Sequence, residues 1–353
     1  MTMTKELGKI QKDFFEDTIL SSCGSSRSEV LSGPAFGVDI AVVSLPNDLA
    51  MIMASVPLSL IPSLGLEESA WLSVYLMAND IATTGNLPMY AQFVLNLPAG
   101  FSNAGFKIYW NYIDRFCKDL GVAITGGHTG FIQDQNSTIA GGGTMVSIVE
   151  KKNVLTSRNA KPGNSILVTK QCAISSTAIL ARSFPETVKN KLGKEMYDQG
   201  CELFYQTSSV NDALAAVDRE VRHPDIIAMH DVTEGGVLGA IYELAIASGC
   251  GALIHDELLP VGQVPAAICQ LFSVDPRYVI GAGSMILAVE KGTENQVIDR
   301  LAQAQIDCMH VGELTEADQG ILLQEKGEIK QMPYFETDPY WAAFFTAMKK
   351  GWK

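Results

Sequence analysis

The chain has 353 residues, 47% of them apolar and 18% charged, a balance that fills full-sized cores and excludes a disordered chain. At roughly 150 residues per domain it has room for about two domains. Its 39 acidic and 26 basic side chains leave a formal charge of −13 with no basic cluster, so nucleic acid and anionic membranes are not expected as partners.

The opening MTMTKELGKIQKDFFED mixes both charge signs and has no apolar h-region, which argues against a secretory signal and for a cytoplasmic protein. A helix is expected over about Lys5–Leu20, then the polar loop SSCGSSRS and strands near Gly37–Leu45 and Leu49–Ser55. The stretch from Leu49 to Leu66 carries no charge, but Pro57, Pro62 and Gly65 interrupt it. It therefore reads as buried strand and loop, not as a membrane span. A helix over about Glu67–Thr84 and a strand at Ala91–Leu97 follow. In the next helix, about Ser102–Leu120, the residues Phe106, Trp110, Ile113, Phe116, Cys117 and Leu120 recur at steps of three and four and form one apolar stripe. Strands at Val122–Thr125 and Thr144–Glu150 are separated by a glycine-rich connection.

The segment KKNVLTSRNAKPG, Lys151–Gly163, is polar and ends on a Pro-Gly turn signal, as a linker between two cores does. Beyond it come strands at Ser165–Lys170, Asp225–His230, Ala252–His255, Ser284–Glu290 and Met309–Leu314, and helices around Ile174–Ser183, Glu195–Arg219, Gly235–Ser248 and Glu294–Ala304. The tail has its own punctuation: Asp338 to cap, Pro339 at the first helical position, Lys349 and Lys350 at the far end and Gly351 to stop. Trp341, Phe344, Phe345 and Met348 are its expected apolar face. The whole reads as mixed α/β: domains over 1–155 and 161–330 and a helical tail over 331–353. Seven scattered cysteines without a CxxC pair read as reduced, mostly packed thiols, Cys23 being the exposed one with Arg27 near enough to favour its thiolate.

Three aspartates stand beside glycine-rich turns: Asp39 in GPAFGVDIAVV, Asp80 in MANDIATTGNLP and Asp231 in MHDVTEGGVLG. Each alone reads first as a turn former, a cap or a surface partner. Together they suit Mg²⁺, which takes oxygen ligands and bridges carboxylates to phosphates. Without the metal, each carboxylate about 4 Å from a phosphate charge costs about 4 kcal/mol at an effective dielectric of 20. Gly126-Gly127, Gly141-Gly142-Gly143, Gly235-Gly236 and Gly281-Ala282-Gly283 offer backbone N–H groups to phosphate, or are hairpins, bulges and tight strand entries. His128 and His230 lie beside these loops, as phosphate contacts or as structural imidazoles.

The order of these motifs, with FVLNLPAG, GVAITGGHTG, GGGTMVSIVEKKNVLTSRNAKPGNSILVTK and DPRYVIGAGSMILAVE, resembles the aminoimidazole ribonucleotide (AIR) synthetase-like superfamily and its HypE-like branch of hydrogenase maturation proteins, from about Gly33 to Leu314. The resemblance implies a two-domain fold, an N-terminal domain with a dimer-forming sheet, a C-terminal α/β domain and a homodimer. It implies ATP and Mg²⁺ as cofactors and transfer of the γ-phosphoryl group to an amide-type or similar acceptor, a small molecule or one carried by a protein. It places metal at Asp39, Asp80 and Asp231, phosphates near Gly127, Thr129, Gly142, Gly235 and Gly236, and catalysis at Asp231 and His128. Two departures qualify it. The chain ends MKKGWK, without the terminal cysteine of the HypE pattern, and GGHTG carries His128 where many relatives have an acid. A nucleotide-binding maturation scaffold with reduced turnover, and a selenophosphate synthetase-like kinase, are the alternative expectations.

Overall fold

Helix-period and strand-period stretches sort into two sheets, each with helices laid on it. The computed structural model describes residues 8–133, 140–218 and 220–353, Ala140 by its backbone alone. They form two units: an N-terminal one of Arg27–Gly33 with Asp39–Val154, and a C-terminal one that takes Leu155–Lys353, Pro34–Val38 and the described residues up to Ser26.

The first helix, α1 (Lys12–Thr18), belongs to the C-terminal unit. It is shorter than expected. Gly8 has φ +111°, which interrupts a helix there, and the expected residues before Gly8 lie outside the described ones.

In the N-terminal unit, β1 (Val30–Ser32), β2 (Ala41–Ser44) and β3 (Leu49–Pro57) precede α2 (Leu66–Ala82), β4 (Tyr90–Pro98), α3 (Asn103–Asp119), β5 (Ala123–Ile132) and β6 (Ala140–Glu150). The sheet order is β1-β2-β3-β6-β4-β5, antiparallel except for the β4/β5 pair. Alternation along β4 sends Ala91, Phe93, Leu95 and Leu97 to one buried face, which α2 and α3 cover; Trp110 of α3 meets Phe93 edge-on. The buried positions of α3 are Tyr109, Ile113, Phe116 and Cys117; the last three are as expected, and Tyr109 takes the fully buried place expected of Phe106 and Trp110. Tyr109 belongs there because its hydroxyl is bonded to Ser73 of α2 at 2.8 Å. Ser69 and Ser73 also accept the N–H groups of Ile61 and Ser59, both at 2.9 Å, which fastens the proline-broken stretch onto α2. β5 and β6 run straight through the glycines expected to form a connection.

The C-terminal unit continues with β7 (Ser165–Thr169), α4 (Ile174–Ser183), α5 (Pro185–Leu192), α6 (Lys194–Glu202), α7 (Val210–Val217), β8 (Ile226–Asp231) and α8 (Gly236–Ser248). Then come β9 (Gly251–His255), α9 (Gln263–Leu271), β10 (Met285–Val289), α10 (Glu294–Gln303), β11 (Cys308–Thr315), β12 (Ile321–Glu325), β13 (Glu328–Gln331) and α11 (Pro339–Lys349). The sheet order is β13-β12-β9-β11-β7-β10-β8. β7 and β10 are buried at every position, as strands covered on both faces are. Ile166, Val168, Ala228, Ile286 and Ala288 pack with Val237, Leu238, Ile241 and Leu244 of α8.

The single helix expected over Glu195–Arg219 is broken between α6 and α7. The ammonium of Lys170 collects the carbonyls of Gln206 (3.3 Å) and Ser208 (2.7 Å) and the carboxylate of Asp212 (2.8 Å), so those carbonyls turn out of any helical ladder. In α11 Asp338 caps and Pro339 opens the helix, as expected. Its inward face is different: Tyr340 and Ala347 are buried and Phe344 meets Phe184, while Phe345 and Met348 are exposed. All seven cysteines are free, Cys23 exposed and five buried. Arg27 pairs with Glu29, not with Cys23. Among the described residues no helix is long and apolar enough to cross a membrane.

Candidate functional site

In the N-terminal unit the expected site residues fall into two groups. Asp80 sits in the last turn of α2, buried at 9% exposure, and Asp39 is half-buried in the extended chain just before β2. Gly127, His128 and Thr129 are consecutive on β5, the edge strand. Across the sheet His128 stands opposite Val94, and Val94 opposite Gly142. Two strand spacings put His128 and Gly142 about 10 Å apart. Val94 is exposed while its neighbours Phe93 and Leu95 are buried, so this row lies on the open face, away from the helices.

The glycines here serve the sheet. A Cβ on Gly127, whose φ is +140°, would stand 1.9 Å from the carbonyl oxygen of Phe93, and one on Gly143 would strike Met77 of α2 at 2.4 Å. Close strand and helix approach therefore accounts for glycine at both positions. Gly142 sits in β6 between Pro57 and Val94.

In the C-terminal unit the decisive element is the end of β8. Asp231 is 2% exposed and its backbone pairs with Met285; His230 is 1% exposed and turned toward α8. His230 Nε2 lies 3.2 Å from Glu243 Oε2, and Lys9 Nζ is 3.4 Å from the other oxygen. Burial raises the Glu243 carboxyl, and Lys9 and His230 outweigh it, holding the group below the usual glutamate range.

The loop after β8 is gripped from both chain ends. The N–H of Lys9 donates to Glu234 Oε2 at 2.9 Å and the indole N–H of Trp341 to Glu234 Oε1 at 3.3 Å. The N–H of Gly235 donates to Asp338 Oδ2 at 2.7 Å, and that of Gly236 to the Thr233 carbonyl at 3.3 Å. The two donors expected to face phosphate thus have partners within the chain. Gly283 accepts Lys170 and packs on Gln206, a structural entry turn.

Sequence reading passed over Lys9, Glu234, Glu243 and Trp341 as site neighbours. One signal was available: Glu243 is the single charge on GVLGAIYELAIAS, and a carboxylate on so apolar a helix needs a partner.

Oxygen donors are what Mg²⁺ prefers, and Asp80 and Asp231 are the buried carboxylates of the set. Among the described residues no group of three His, Cys, Asp or Glu side chains is ready-made to hold a metal ion. Asp80, in the N-terminal unit, and Asp231, in the C-terminal one, are each a buried oxygen donor of the kind Mg²⁺ takes, an ion that commonly keeps one or two carboxylates and completes its shell with water and substrate.

Residues 37–149 match the family pattern of the AIR synthase related protein, N-terminal domain, and residues 161–323 that of the C-terminal domain. The chain belongs to the AIR synthase-related family. Among curated relatives, it is 24% identical over 248 residues to a putative hydrogenase expression/formation protein of Methanocaldococcus jannaschii, covering 70% of each chain. It is 26% identical over 216 residues to the carbamoyl dehydratase HypE of Cupriavidus necator, covering 61% of this chain and 58% of that protein. Among solved structures, a hydrogenase maturation protein HypE in complex with ATP superposes with a TM-score of 0.64 at 16% identity, covering 94% of each chain.

Proposed function

We propose that this AIR synthase-related protein is an ATP- and Mg²⁺-dependent enzyme that transfers a γ-phosphoryl group to an amide-type acceptor. The observation that carries the reading is Asp231, a carboxylate 2% exposed at the end of a sheet strand, in a fold shared with a HypE protein solved with ATP. A carboxylate at that position is an oxygen donor of the kind Mg²⁺ takes. The name of the Cupriavidus relative, carbamoyl dehydratase, supports an amide as acceptor.

Asp39, Asp80 and Asp231 would hold the metal, which when bound offsets charge on the phosphates. His128 and Thr129, both exposed on β5, would meet a phosphate oxygen or move a proton, His128 from the open face of the sheet and Thr129 from the other. Gly142 would lie in the row of His128, with Gly127 in the neighbouring one opposite Phe93. Phosphorylating an amide oxygen makes it a leaving group, so dehydration or attack at the carbon follows more easily. For such a transfer the protein chiefly positions groups and balances charge.

The open face of the N-terminal sheet presents Tyr90, Val94 and Ile148, each more than a third exposed. An apolar sheet face of this kind suits burial against a second copy, and supports the homodimer.

One observation favours a second reading, a nucleotide-binding scaffold with little turnover: Asp338 already occupies the N–H of Gly235. Both readings are tested by incubating the protein with Mg-ATP and small amides or carbamoyl compounds and measuring ADP. Turnover that Asp231→Asn abolishes supports the enzyme. Tight ATP binding without ADP supports the scaffold. Asp39→Asn and Asp80→Asn should each reduce the thermal stabilisation that Mg-ATP gives; unchanged stabilisation in both removes them from the site.

A further inference from the structure

We propose that Lys170 is a positioning residue for Asp231: its ammonium is a tethered internal cation that gathers oxygens from the loop before α7, from α7 itself and from the entry to β10, and so fixes the backbone against which Asp231 is held. The proposal rests on the phosphoryl-transfer reading for what Asp231 binds.

Lys170 follows β7 with φ +54°, a left-handed conformation that strains any residue carrying a side chain. What holds it there is the work of its side chain, which is 17% exposed. The ammonium lies 2.7 Å from the Ser208 carbonyl, 2.9 Å from that of Gly283 and 3.3 Å from that of Gln206. It is also 2.8 Å from Oδ2 of Asp212, a carboxylate 1% exposed. Three carbonyls and a carboxylate at these distances make a cage for one positive charge, and an ammonium, a compact charge with three donors, fills it. Position 283 must be glycine to bring its carbonyl in, since a Cβ there would stand 2.3 Å from the carbonyl oxygen of Gln206.

The cage reaches Asp231 by two routes. Asp212 accepts the Thr169 hydroxyl at 2.6 Å, Thr169 Oγ1 in turn accepts the N–H of Met285 at 2.9 Å, and Met285 is the residue paired with Asp231. On the other side Gly283 leads into Ser284, whose hydroxyl donates to the Gln171 carbonyl at 2.6 Å and whose own carbonyl accepts the N–H of Val232 at 3.2 Å. The partners of Asp231 and of the residue after it are thus both set from the Thr169–Gln171 turn. Without the cation, the carbonyls of Gln206, Ser208 and Gly283 and the buried carboxylate face one another unneutralised, and the entry to β10 loosens. A metal-binding carboxylate keeps its aim through supporting partners of this kind.

The test compares the full-length wild type with Lys170→Gly, which relieves the backbone and empties the cage, and Lys170→Met, which fills it without charge. Binding of a non-hydrolysable ATP analogue is titrated with and without Mg²⁺, in ammonium chloride and in tetramethylammonium chloride at equal ionic strength. Positioning predicts a loss of about ten- to a hundredfold in Mg²⁺-dependent affinity in both variants, the range for an outer-shell partner of a metal ligand, with metal-free affinity unchanged. Ammonium, and not tetramethylammonium, should restore Lys170→Gly to near wild type and raise its melting temperature, and should do neither for Lys170→Met. Ser284→Ala keeps the cage and cuts one route, and should lower the same Mg²⁺-dependent affinity by about fivefold, the scale of one neutral hydrogen bond; it carries the test if neither Lys170 variant folds. Wild-type Mg²⁺-dependent affinity in these variants, a loss equal with and without Mg²⁺, or a rescue that tetramethylammonium matches overturns the proposal and leaves the phosphoryl-transfer reading standing. No Mg²⁺-dependent binding by the wild type overturns that reading and the role of Lys170 toward Asp231 with it, and the melt of Lys170→Gly in ammonium then decides the cage alone.

Discussion

Asp338→Asn separates the cost of a buried charge from the hydrogen bonds it makes. Asp338 is 2% exposed, and it accepts the N–H of Gly235 at 2.7 Å and that of Tyr340 at 2.8 Å. Burial pushes its carboxyl from 3.8 up to about 6; the backbone N–H groups of Gly235, Tyr340 and Ile280 oppose the rise and the charge of Glu234 adds to it. A carboxyl whose folded pKa is raised favours the fold while protonated. Its contribution is complete below about pH 3.8 and is lost as the pH climbs through about 6. A rise of about two units, at about 1.4 kcal/mol each, makes that loss about 3 kcal/mol. Asparagine has the same shape and no titration. Its amide nitrogen must face one of the N–H donors, so the variant should start below wild type near pH 4 by about the cost of one unmade hydrogen bond and recover relative to it by about 3 kcal/mol between pH 4 and 7.5. The assay is urea unfolding across that range in a background where Trp71 and Trp110 are phenylalanine, so that Trp341 and Trp352 report the C-terminal unit. A difference that stays constant with pH, or a variant that falls behind wild type as pH rises, refutes the argument that burial dominates at this carboxylate.

Glu243→Leu leaves His230 and Lys9 facing an apolar side chain and should cost about 2 kcal/mol or more, with Glu243→Gln milder; equal stability of Glu243→Leu and wild type in the same unfolding assay argues against a working ion pair. Gly127→Ala drives a methyl to 1.9 Å from the Phe93 carbonyl in a left-handed backbone and should destabilise the N-terminal unit by about 3 kcal/mol, as strained backbone and overpacking do together. A normal melt with lost nucleotide binding would instead make Gly127 a phosphate contact. Val94→Glu sets a charge on the open sheet face and should convert a dimer to monomers in sedimentation; an unchanged mass places the dimer contact elsewhere.

Where one residue type answered to one physical demand, the fold was legible in the sequence. The spacing on α3, the Asp-Pro start and Gly stop of α11, and the apolar strands β7 and β10 were all readable because local period and capping decide them. The misreadings have a common cause, which is that a distant group set the outcome. Lys170 pulls carbonyls from a stretch that would otherwise stay helical. Tyr109 turns inward because Ser73 waits on another helix. Phe345 and Met348 turn outward because Tyr340, Phe344 and Ala347 hold the seam of α11.

The same division runs through the site. Glycine beside aspartate was visible, and it suggested phosphate because that is what loose backbone N–H groups do. In the folded chain, however, Gly127 and Gly143 answer to a carbonyl and a methionine on neighbouring elements, and Gly235 to a carboxylate 103 residues away. A glycine signals that something comes close, and only the fold says what. The more informative residues are the expensive ones. Asp231, Glu243 and Asp338 each carry a carboxylate at 5% exposure or less. Glu243 is answered by an imidazole and a lysine, and Asp338 by backbone donors that include Gly235 and Tyr340. Asp231 lies one residue from His230 of the first network and four from Gly235 of the second, so a cation bound at the end of β8 would be felt by both.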